Sequence, residues 1–341
     1  KWGFRKLFLE ARKCLRAPSP WRGLGTLPSS IASAGREDPY WNIDRLVEME
    51  RQFGFKSSFL FSSGRTAKWD PTYSLSERRI REALRTIESQ GFEVALHGSF
   101  NSSFEPHCLA AEKRKLEKVL GRPVLGNRFH YLRLEIPRSW REEEEAGLSY
   151  DMTLGYPDRL GFRAGIAFPY NPYDSLIKRQ FNILELPLTV SDGALLSETE
   201  DGAAEALFQL LSSVKENSGL LGLLWHPHTF DHEDFPSLRG IYPTILKWIR
   251  TNEGFAAPGA EICDWWLGRS GFRLVEKGRK YWNLLADRDL ERMGLELIGV
   301  RGPNPRVEGC GLRALHKTDY GCYVELTGIS RGKEIVVSLV R

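Results

Sequence analysis

The sequence predicts an α/β fold in which parallel strands close into a (β/α) barrel, followed by a small antiparallel β module. Short apolar segments alternate with amphipathic helical segments through most of the chain, which is the pattern of β-α repeats around a parallel sheet. Most predicted strands are apolar on both faces, as strands covered by helices on both sides are. The chain contains no G-x-G-x-x-G and no G-x-x-x-x-G-K motif, which favours a barrel over a nucleotide-binding open sheet.

Each predicted helix carries an apolar stripe at helical spacing, and a glycine follows most of them. The first such helix places Ile43, Leu46 and Val47 on one face and stops at Gly54. The predicted helices are residues 43–53, 74–90, 106–120, 137–146, 203–215, 242–251 and 260–267. The predicted strands of the barrel are residues 55–61, 92–96, 124–125, 148–150, 183–190 and 220–225. Short alternating segments at 295–298, 323–326 and 334–337 predict the antiparallel module.

The repeat begins with a helix rather than with a strand. Residues 1–15 carry an apolar helical stripe that includes Trp2, Phe4 and Leu7. Because a strand precedes the helix in each β-α unit, we expect the first barrel strand to lie upstream of Lys1. The predicted domains are therefore a barrel over residues 1–271, without its first strand, and a β module over residues 272–341.

Composition excludes several classes of protein. The 341 residues carry a net charge of +4 with basic residues scattered along the chain, which argues against a nucleic-acid groove. No apolar run reaches the roughly 18 residues of a membrane helix. The five cysteines show no C-x-x-C spacing, so neither a structural zinc site nor a disulfide framework is expected. Cys310 and Cys322 can face each other across a hairpin, but free thiols and a reducing, cytoplasmic compartment are the expectation.

Polar residues occur at or just after the ends of separate predicted strands. They are His97, His130, Asp151, Asp192 and His226. The carboxyl ends of barrel strands meet at one face, where active sites form. Any one of these residues has a structural explanation, such as a buried histidine or a helix-capping aspartate, but the set predicts a functional site.

The densest polar cluster is the segment from Trp225 to His232. His226 and His228 are two residues apart, which places both on one face if the segment is a strand. Such a pair can hold a metal ion, or one member can donate a proton beside it. Asp231 and His232 are expected in a surface loop.

Two further segments supply candidates for substrate contacts. Arg128 follows a predicted strand and can pair with and orient a carboxylate, although a surface salt bridge is the alternative. The long loop 155–172 is rich in aromatic residues and arginines, which suits a sugar-binding groove or an ordinary packed loop. The predicted substrate-binding residues are Tyr131, Arg133, Tyr156, Arg163, Asp192 and Trp225.

Four segments together resemble the motifs of polysaccharide deacetylases, the NodB-homology hydrolases of carbohydrate esterase family four. They are Phe92–Phe100 for the metal-binding histidine motif, Arg128–Arg133 for the arginine motif, Tyr150–Tyr156 for the aspartate motif and Leu224–His226 for the late L-x-H motif. The opening segment D-P-Y-W-N and the later A-E-I-C-D-W-W are similar to a bacterial branch of that family.

The resemblance implies a deformed (β/α) barrel, a divalent metal that is usually zinc, and hydrolysis of N- or O-linked acetyl groups on a glycan. Metal-bound water loses its proton near pH 7 and attacks the acetyl carbonyl. His226 would be the general acid, His97 a metal ligand, and Arg128 the residue that orients the base, with Asp151 as a further catalytic candidate. The family's first motif, an aspartate pair, would lie on the expected upstream strand, so the chain as given is expected to be catalytically impaired.

One metal-binding position departs from the family pattern. Asn101 stands where the family has its second histidine, and Gly98 where it has a hydroxyl residue. We expect His130 to replace that histidine, so that the predicted metal ligands are His97, His130 and His228.

Three functions remain as alternatives. The first is a metal-dependent glycan deacetylase that works on a cell-envelope polysaccharide. The second is an inactive relative that keeps the glycan groove and has lost the chemistry. The third is another metal hydrolase that uses His226 and His228 as an amidohydrolase-like pair, although in that family the H-x-H motif belongs on the first strand.

Overall fold

A computed structural model describes residues 41–197, 200–230, 234–238, 240–278, 280–298, 305–318 and 321–339. The predicted N-terminal helical stripe, Cys14, residues 38–40 of the family-like opening, Asp231 and His232 lie outside the described residues. The chain divides into two compact units between Pro258 and Gly259. The helix that begins at Gly259 therefore belongs with the second unit.

The first unit alternates helices with short strands, as the sequence predicts. Its helices are α1 (Ile43–Gln52), α2 (Arg78–Ser89), α3 (Cys108–Leu120), α4 (Arg138–Glu145), α5 (Asp192–Ser197), α6 (Glu200–Glu216) and α7 (Ile241–Thr251). Its strands are β1 (Ser58–Phe61), β2 (Glu93–Gly98), β3 (Gly126–Phe129), β4 (Tyr150–Asp151), β5 (Tyr173–Asp174), β6 (Arg179–Gln180), β7 (Leu184–Glu185), β8 (Val190–Ser191) and β9 (Leu223–Leu224).

The strands form an open parallel sheet instead of a closed barrel. Strands β1, β2, β3, β4 and β7 pair in that order, all parallel. Strands β8 and β9 form a separate parallel pair, and β5 and β6 a small hairpin. The prediction of an α/β fold with a parallel sheet is confirmed. A closed barrel is not confirmed, because the strands of the described residues do not join into one closed sheet.

Pro187 explains why the sheet breaks where it does. The sequence predicts one strand over residues 183–190, but the structure has β7 and β8 on either side of Pro187. Proline has no N–H to donate to a sheet ladder. Gly222 packs against this break, since a Cβ at Gly222 would lie 2.0 Å from the Pro187 carbonyl oxygen.

The core of the first unit lies between the sheet and its helices. Helix α2 buries Ile80, Ala83, Leu84 and Ile87 on one face, as its apolar spacing predicts. These side chains pack with strand residues such as Leu96, which is fully buried. Each fully buried aliphatic side chain contributes about 1.5–3 kcal/mol, so this packing holds the strand ends in place.

The third strand begins two residues later than the sequence predicts. The structure has β3 at Gly126–Phe129, whereas the apolar pair at 124–125 predicts it. The ring of Tyr150 on the neighbouring strand fills the space where a side chain at Gly126 would be, with Tyr150 Cζ 2.0 Å from a built Cβ. As a result Arg128 lies within the strand and is buried, and His130 follows directly after it.

Replacing Gly126 with alanine is expected to destabilise the first unit by about 1–3 kcal/mol, because the new methyl group overlaps a fully buried tyrosine. Gly193→Ala is the matched control, since nothing lies closer than 3.9 Å to its built Cβ. Urea unfolding of both variants measures the difference. Equal midpoints for Gly126→Ala and the unsubstituted protein would show that the tyrosine has room to move.

The second unit is a β module behind one helix, α8 (Gly259–Ser270). Its strands are β10 (Phe272–Lys277), β11 (Tyr281–Ala286), β12 (Leu290–Ile298), β13 (Pro305–Glu308), β14 (Gly311–Lys317), β15 (Gly321–Ile329) and β16 (Glu334–Leu339). They form a four-stranded sheet in the order β10-β11-β16-β13 and a three-stranded sheet in the order β12-β15-β14. All pairs are antiparallel, as predicted. Val324, Leu326, Ile335 and Val337 are fully buried in its core.

Two sequence expectations concern covalent links and membranes. Cys108, Cys263, Cys310 and Cys322 are free thiols in the structure. In the part of the chain that the structure describes, no helix combines the length and the apolarity that crossing a membrane requires.

Candidate functional site

Strands β2 and β3 bring two of the predicted histidines together. The rings of His97 and His130 lie 4.9 Å apart between centroids, at 71° to each other. Burial is the main cause that lowers the pKa of His97 to about 3, and the positive charges of His130, Arg128 and His226 contribute to that shift. That His226 joins the same site stays a prediction.

His130 is held by a buried aspartate, Asp70, that the sequence analysis did not single out. Nδ1 of His130 lies 2.9 Å from Oδ1 of Asp70, whose side chain is fully buried. A carboxylate accepts hydrogen bonds, so Nδ1 carries the proton and Nε2 keeps a lone pair when the ring is neutral. Asp70 lies in the loop after β1, nine residues beyond the end of that strand, so no strand-end pattern in the sequence identifies it.

The Asp70 carboxylate is fixed by backbone amides from two loops. Oδ2 accepts from the amides of Thr66 and Ala67, both at 2.8 Å. Oδ1 accepts from the amide of Phe100 at 2.7 Å. Burial raises the pKa of Asp70, but the hydrogen bonds from His130 and these amides outweigh it, so the pKa lies below its usual value. Asp70 is therefore ionised at neutral pH and orients His130.

A second aspartate–histidine pair lies at the end of β8. Nδ1 of His226 is 2.8 Å from Oδ1 of Asp192, and the backbone amide of His226 donates to Oδ2 at 2.7 Å. The hydroxyl of Thr229 also donates to Oδ2, at 3.0 Å. Burial raises the pKa of Asp192, but the contacts with His226 and Thr229 lower it overall. Asp192, predicted to bind substrate, lies behind His226 with its side chain 1% exposed, while that of His226 is 46% exposed.

His97 is oriented by the backbone. Its Nδ1 lies 2.8 Å from the carbonyl oxygen of Arg128, which can only accept, so Nδ1 carries the proton. With its pKa lowered to about 3, the ring is neutral near pH 7 and its Nε2 is a lone-pair donor. All three imidazoles thus have Nδ1 occupied by an acceptor.

His228 does not lie on a strand, so its position is not given by the two-residue spacing from His226. Strand β9 ends at Leu224, and His228 lies in a 3-10 turn over Pro227–Phe230. The expectation that His226 and His228 share one face of a strand is therefore wrong, although their rings lie 5.3 Å apart. Trp225 packs in an aromatic cluster, 5.1 Å from the ring of Tyr242 and 6.3 Å from that of Phe230.

Arg128 is buried beside a group of three buried carboxyl groups. Its Nε donates to the carbonyl oxygen of Met152 at 2.9 Å. Burial lowers its pKa to about 10, while the negative charges of Asp151 and Glu185 oppose that effect. Glu143 and Glu185 are fully buried next to Asp151. Neither glutamate was predicted as a site residue. Glu185 could have been, because a single glutamate within the apolar segment 183–190 indicates a buried charge with a specific role.

The hydrogen bonds of this group show where a proton must lie. Oε1 of Glu143 accepts from Nδ2 of Asn127 at 2.7 Å, and Oδ1 of Asp151 accepts from the hydroxyl of Thr153. The second oxygens, Oε2 of Glu143 and Oδ2 of Asp151, are buried without an N–H or hydroxyl donor. Burial and the charge of Asp151 raise the pKa of Glu143 well above its usual value. Burial and the charge of Asp151 raise the pKa of Glu185 in the same way. Because ionised carboxylates repel each other so strongly at close range, the glutamates keep a proton here, and the two oxygens without a donor favour Glu143 as the group that donates to Asp151.

The described residues provide part of a metal site. A histidine that donates Nδ1–H to a carboxylate or carbonyl and keeps a lone pair at Nε2 is the usual form of a metal ligand, and His97 and His130 both have it. However, within the described ranges no group of three or more His, Cys, Asp or Glu side chains is arranged to hold a metal ion. Asn101 is turned away, its Nδ2 donating to the Thr66 carbonyl oxygen at 3.3 Å. These residues alone therefore do not fit a three-ligand zinc centre.

The remaining predicted contact residues fall into two places. Tyr131 and Arg133 lie beside His130, with the Tyr131 ring 4.6 Å from the imidazole. Tyr156 and Arg163 lie in the long loop. The guanidinium of Arg159 lies 5.3 Å from the Tyr156 ring, and Nη1 of Arg163 donates to the Gly155 carbonyl oxygen at 3.1 Å. These loop contacts do not include the histidines.

Comparisons with known proteins give a likeness in fold alone. No protein-family profile and no curated protein matches the chain. Among solved structures, it is similar to a proposed polysaccharide deacetylase from Mycobacterium smegmatis, at 18% identity and a TM-score of 0.41 over 68% of this chain and 83% of that chain. A CE4 family pseudoenzyme from Bacillus anthracis gives 10% identity and a TM-score of 0.38 over 67% of this chain and 62% of that one. At these values the likeness carries nothing about function.

Proposed function

We propose that the chain is a deacetylase-like hydrolase that removes acyl groups from a glycan, with two aspartate–histidine pairs at one site. The observation that carries this proposal is the contact between the rings of His97 and His130, together with the buried carboxylates that fix His130 and His226. Paired imidazoles with fixed tautomers are suited to moving protons at neutral pH.

In this proposal His130 and His226 divide the proton transfers of amide or ester hydrolysis. Nε2 of His130 takes a proton from water as the water oxygen bonds to the acyl carbon. The bond from the acyl carbon to the sugar nitrogen or oxygen then breaks, and protonated His226 donates a proton to the leaving atom. Each such transfer contributes about 10²- to 10⁴-fold to rate. The buried charge of Arg128 favours the negative charge that develops on the carbonyl oxygen.

A divalent metal, which we propose is zinc, is a separate part of the proposal, and the proton transfers of His130 and His226 do not depend on it. We expect any zinc bound by the protein to depend on His97 and His130, which keep lone pairs at Nε2. Elemental analysis of the protein and of His130→Ala measures this dependence. Equal zinc content in both would remove His130 from the ligand set, whereas His107→Asn should change nothing because His107 lies on the surface.

A glycan-binding protein without catalysis is the second candidate. The incomplete set of metal donors in the described ranges and the turned-away Asn101 favour it. In that case the histidine site recognises the acyl group without hydrolysing it. The free thiols of both units support a reducing compartment, which we propose is the cytoplasm.

The test is release of acetate from N-acetylglucosamine tetramer and from acetylated xylan, with and without added zinc. Acetate release that exceeds the rate without protein supports the hydrolase. Binding of either glycan without acetate release supports the second candidate, and neither binding nor release overturns both.

A further inference from the structure

Glu112 is a buried carboxyl group that the proposed proton transfers do not use. It lies on α3 and is 2% exposed, and none of the ion pairs in the described part of the chain includes it. Its Oε2 accepts from the Ser99 amide at 3.0 Å, and its Oε1 contacts the Ser99 hydroxyl. The thiol of Cys108 lies 3.5 Å from Oε1. Gly64 packs directly on the carboxyl group, where a Cβ would overlap Oε1. In such surroundings the ionised form is costly.

Two hydroxyl groups connect Glu112 to the aspartate that holds His130. Oγ of Ser99 lies 3.0 Å from Oγ1 of Thr66, and Oγ1 of Thr66 lies 3.2 Å from Oδ2 of Asp70. Together with the contact between Glu112 and Ser99, three polar contacts thus join the two carboxyl groups. A hydroxyl group has one hydrogen to donate, so the two hydroxyls supply only two. The third hydrogen of the chain must come from a carboxyl group.

The surroundings of the two carboxyl groups show which of them carries this hydrogen. Asp70 accepts from three backbone amides and from Nδ1 of His130, which stabilise its ionised form. Glu112 accepts from a single amide. Burial raises the pKa of Glu112 and the charge of Asp70 adds to that effect, while the hydrogen bonds of Ser99 and Cys108 oppose it. The hydrogen therefore lies on Glu112, which donates to the Ser99 hydroxyl.

We propose that Glu112 is a positioning residue of the histidine site, and that as a neutral acid it directs both hydroxyl hydrogen bonds toward Asp70. Ser99 then donates to Thr66, and Thr66 donates to Asp70. This chain holds the carboxylate where it accepts from His130. An ionised Glu112 instead takes the Ser99 hydrogen, and the contact between Ser99 and Thr66 is left without one. The inference rests on the proposed function, because Asp70 acts on the reaction through His130.

Variants at position 112 separate the donor from the charge. Glu112→Gln keeps the chain, since its NH₂ group can donate to the Ser99 hydroxyl while its carbonyl oxygen accepts from the Ser99 amide. The infrared difference between the unsubstituted protein and Glu112→Gln at pH 7 should show the loss of a carboxylic acid C=O band. Glu105→Gln, at an exposed position just before α3, is the control and should show the loss of carboxylate bands. Loss of carboxylate bands in Glu112→Gln overturns the proposal.

The proton on Nδ1 of His130 reports the position of Asp70 without any activity, through its downfield NMR signal. Glu112→Met is similar in size to the natural residue but has no donor, and Ser99→Ala interrupts the chain at its first hydroxyl. We expect the signal of Glu112→Gln to match that of the unsubstituted protein, and the signals of Glu112→Met and Ser99→Ala to be shifted. An unchanged signal in Ser99→Ala overturns the positioning role.

Acetate release from N-acetylglucosamine tetramer measures the effect on rate. Glu112→Met and Ser99→Ala should lower kcat by up to about 100-fold, the cost of a small misplacement at the site, with KM unchanged. Glu112→Gln should restore the rate that Glu112→Met loses. Equal kcat in all variants overturns the positioning role and leaves hydrolysis standing. No acetate release by the unsubstituted protein overturns hydrolysis, and a shifted His130 signal in Ser99→Ala then still upholds the role of Glu112.

Discussion

Replacing His226 with alanine is expected to reduce kcat for acetate release by about 10²- to 10⁴-fold, the contribution of a general acid. The substitution also removes a partner of the buried Asp192 carboxylate and should lower stability, although the His226 backbone amide and Thr229 still donate to Asp192. Steady-state acetate release and thermal unfolding measure the two effects separately. If His226 were only structural, the rate would fall only together with stability. A large loss of rate in a normally folded protein therefore supports its role as the acid.

Two further variants make this prediction specific. Asp192→Asn keeps the shape of the pair but removes the charge that stabilises protonated His226, so it should also lower kcat. His107→Asn changes a surface histidine whose φ of 60° asparagine tolerates, so it should leave the rate unchanged. If His226→Ala and His107→Asn release acetate equally fast, His226 is not the acid.

Replacing Glu143 with glutamine is expected to flatten the dependence of stability on pH. Burial raises the pKa of Glu143 well above its unfolded value of 4.5, so the folded state keeps a proton that the unfolded state loses. The stability that this proton provides is complete below pH 4.5 and is lost as pH rises through the folded pKa, at up to about 1.4 kcal/mol per pH unit. Glutamine cannot ionise, so its variant should lose less stability between pH 5 and pH 8.

The hydrogen bonds of Glu143 explain why glutamine suits this position. An amide oxygen can accept from Asn127 as Oε1 does, and an amide NH₂ can donate to Asp151 as the protonated Oε2 does. Glu185 provides a contrast, since its oxygens accept from the Trp140 indole and the Leu154 amide. Glutamine there must point an NH₂ group at one of these donors and should destabilise the protein by about 1–3 kcal/mol.

Urea unfolding from pH 5 to pH 8 measures both effects, with Glu145→Gln as the control on the exposed face of the same helix. Glu145→Gln should keep the pH slope of the unsubstituted protein. If Glu143→Gln has that slope too, Glu143 is ionised in the folded state and the shared proton is wrong.

The closeness of His97 and His130 could be predicted from the sequence because both lie at the ends of neighbouring strands, and strand ends in parallel sheets meet at one edge. The carboxylate that pairs with His130 could not be predicted in the same way. Asp70 is brought to His130 by a loop fold that spans 60 residues of sequence, and no local pattern encodes that pairing. Glu143 lies in a run of four glutamates, Glu142–Glu145, where the sequence alone indicates a solvated helix surface.

Two strand boundaries were mispredicted, at Gly126 and at Pro187, because each depends on how that residue meets a neighbouring strand. Nothing in the sequence distinguishes Gly126 from any other glycine, and the Tyr150 ring that fills the space beside it is visible only in the structure. Pro187 was visible in the sequence, but the apolar run around it outweighed its inability to donate in a ladder. The separation of β8 and β9 from the five-stranded sheet follows from that break, and a repeat pattern alone does not reveal it.

The Asp70 carboxylate joins three consecutive strand-end loops, since it accepts from Thr66 and Ala67 after β1, from Phe100 after β2 and from His130 after β3. These loops are therefore coupled in space through one side chain. An insertion that lengthens any one of them keeps the site intact only if the same donor still reaches the same oxygen. No hydrogen bond joins this carboxylate to the loop after β4 among the described residues, so a change in the length of that loop leaves the contacts of Asp70 in place.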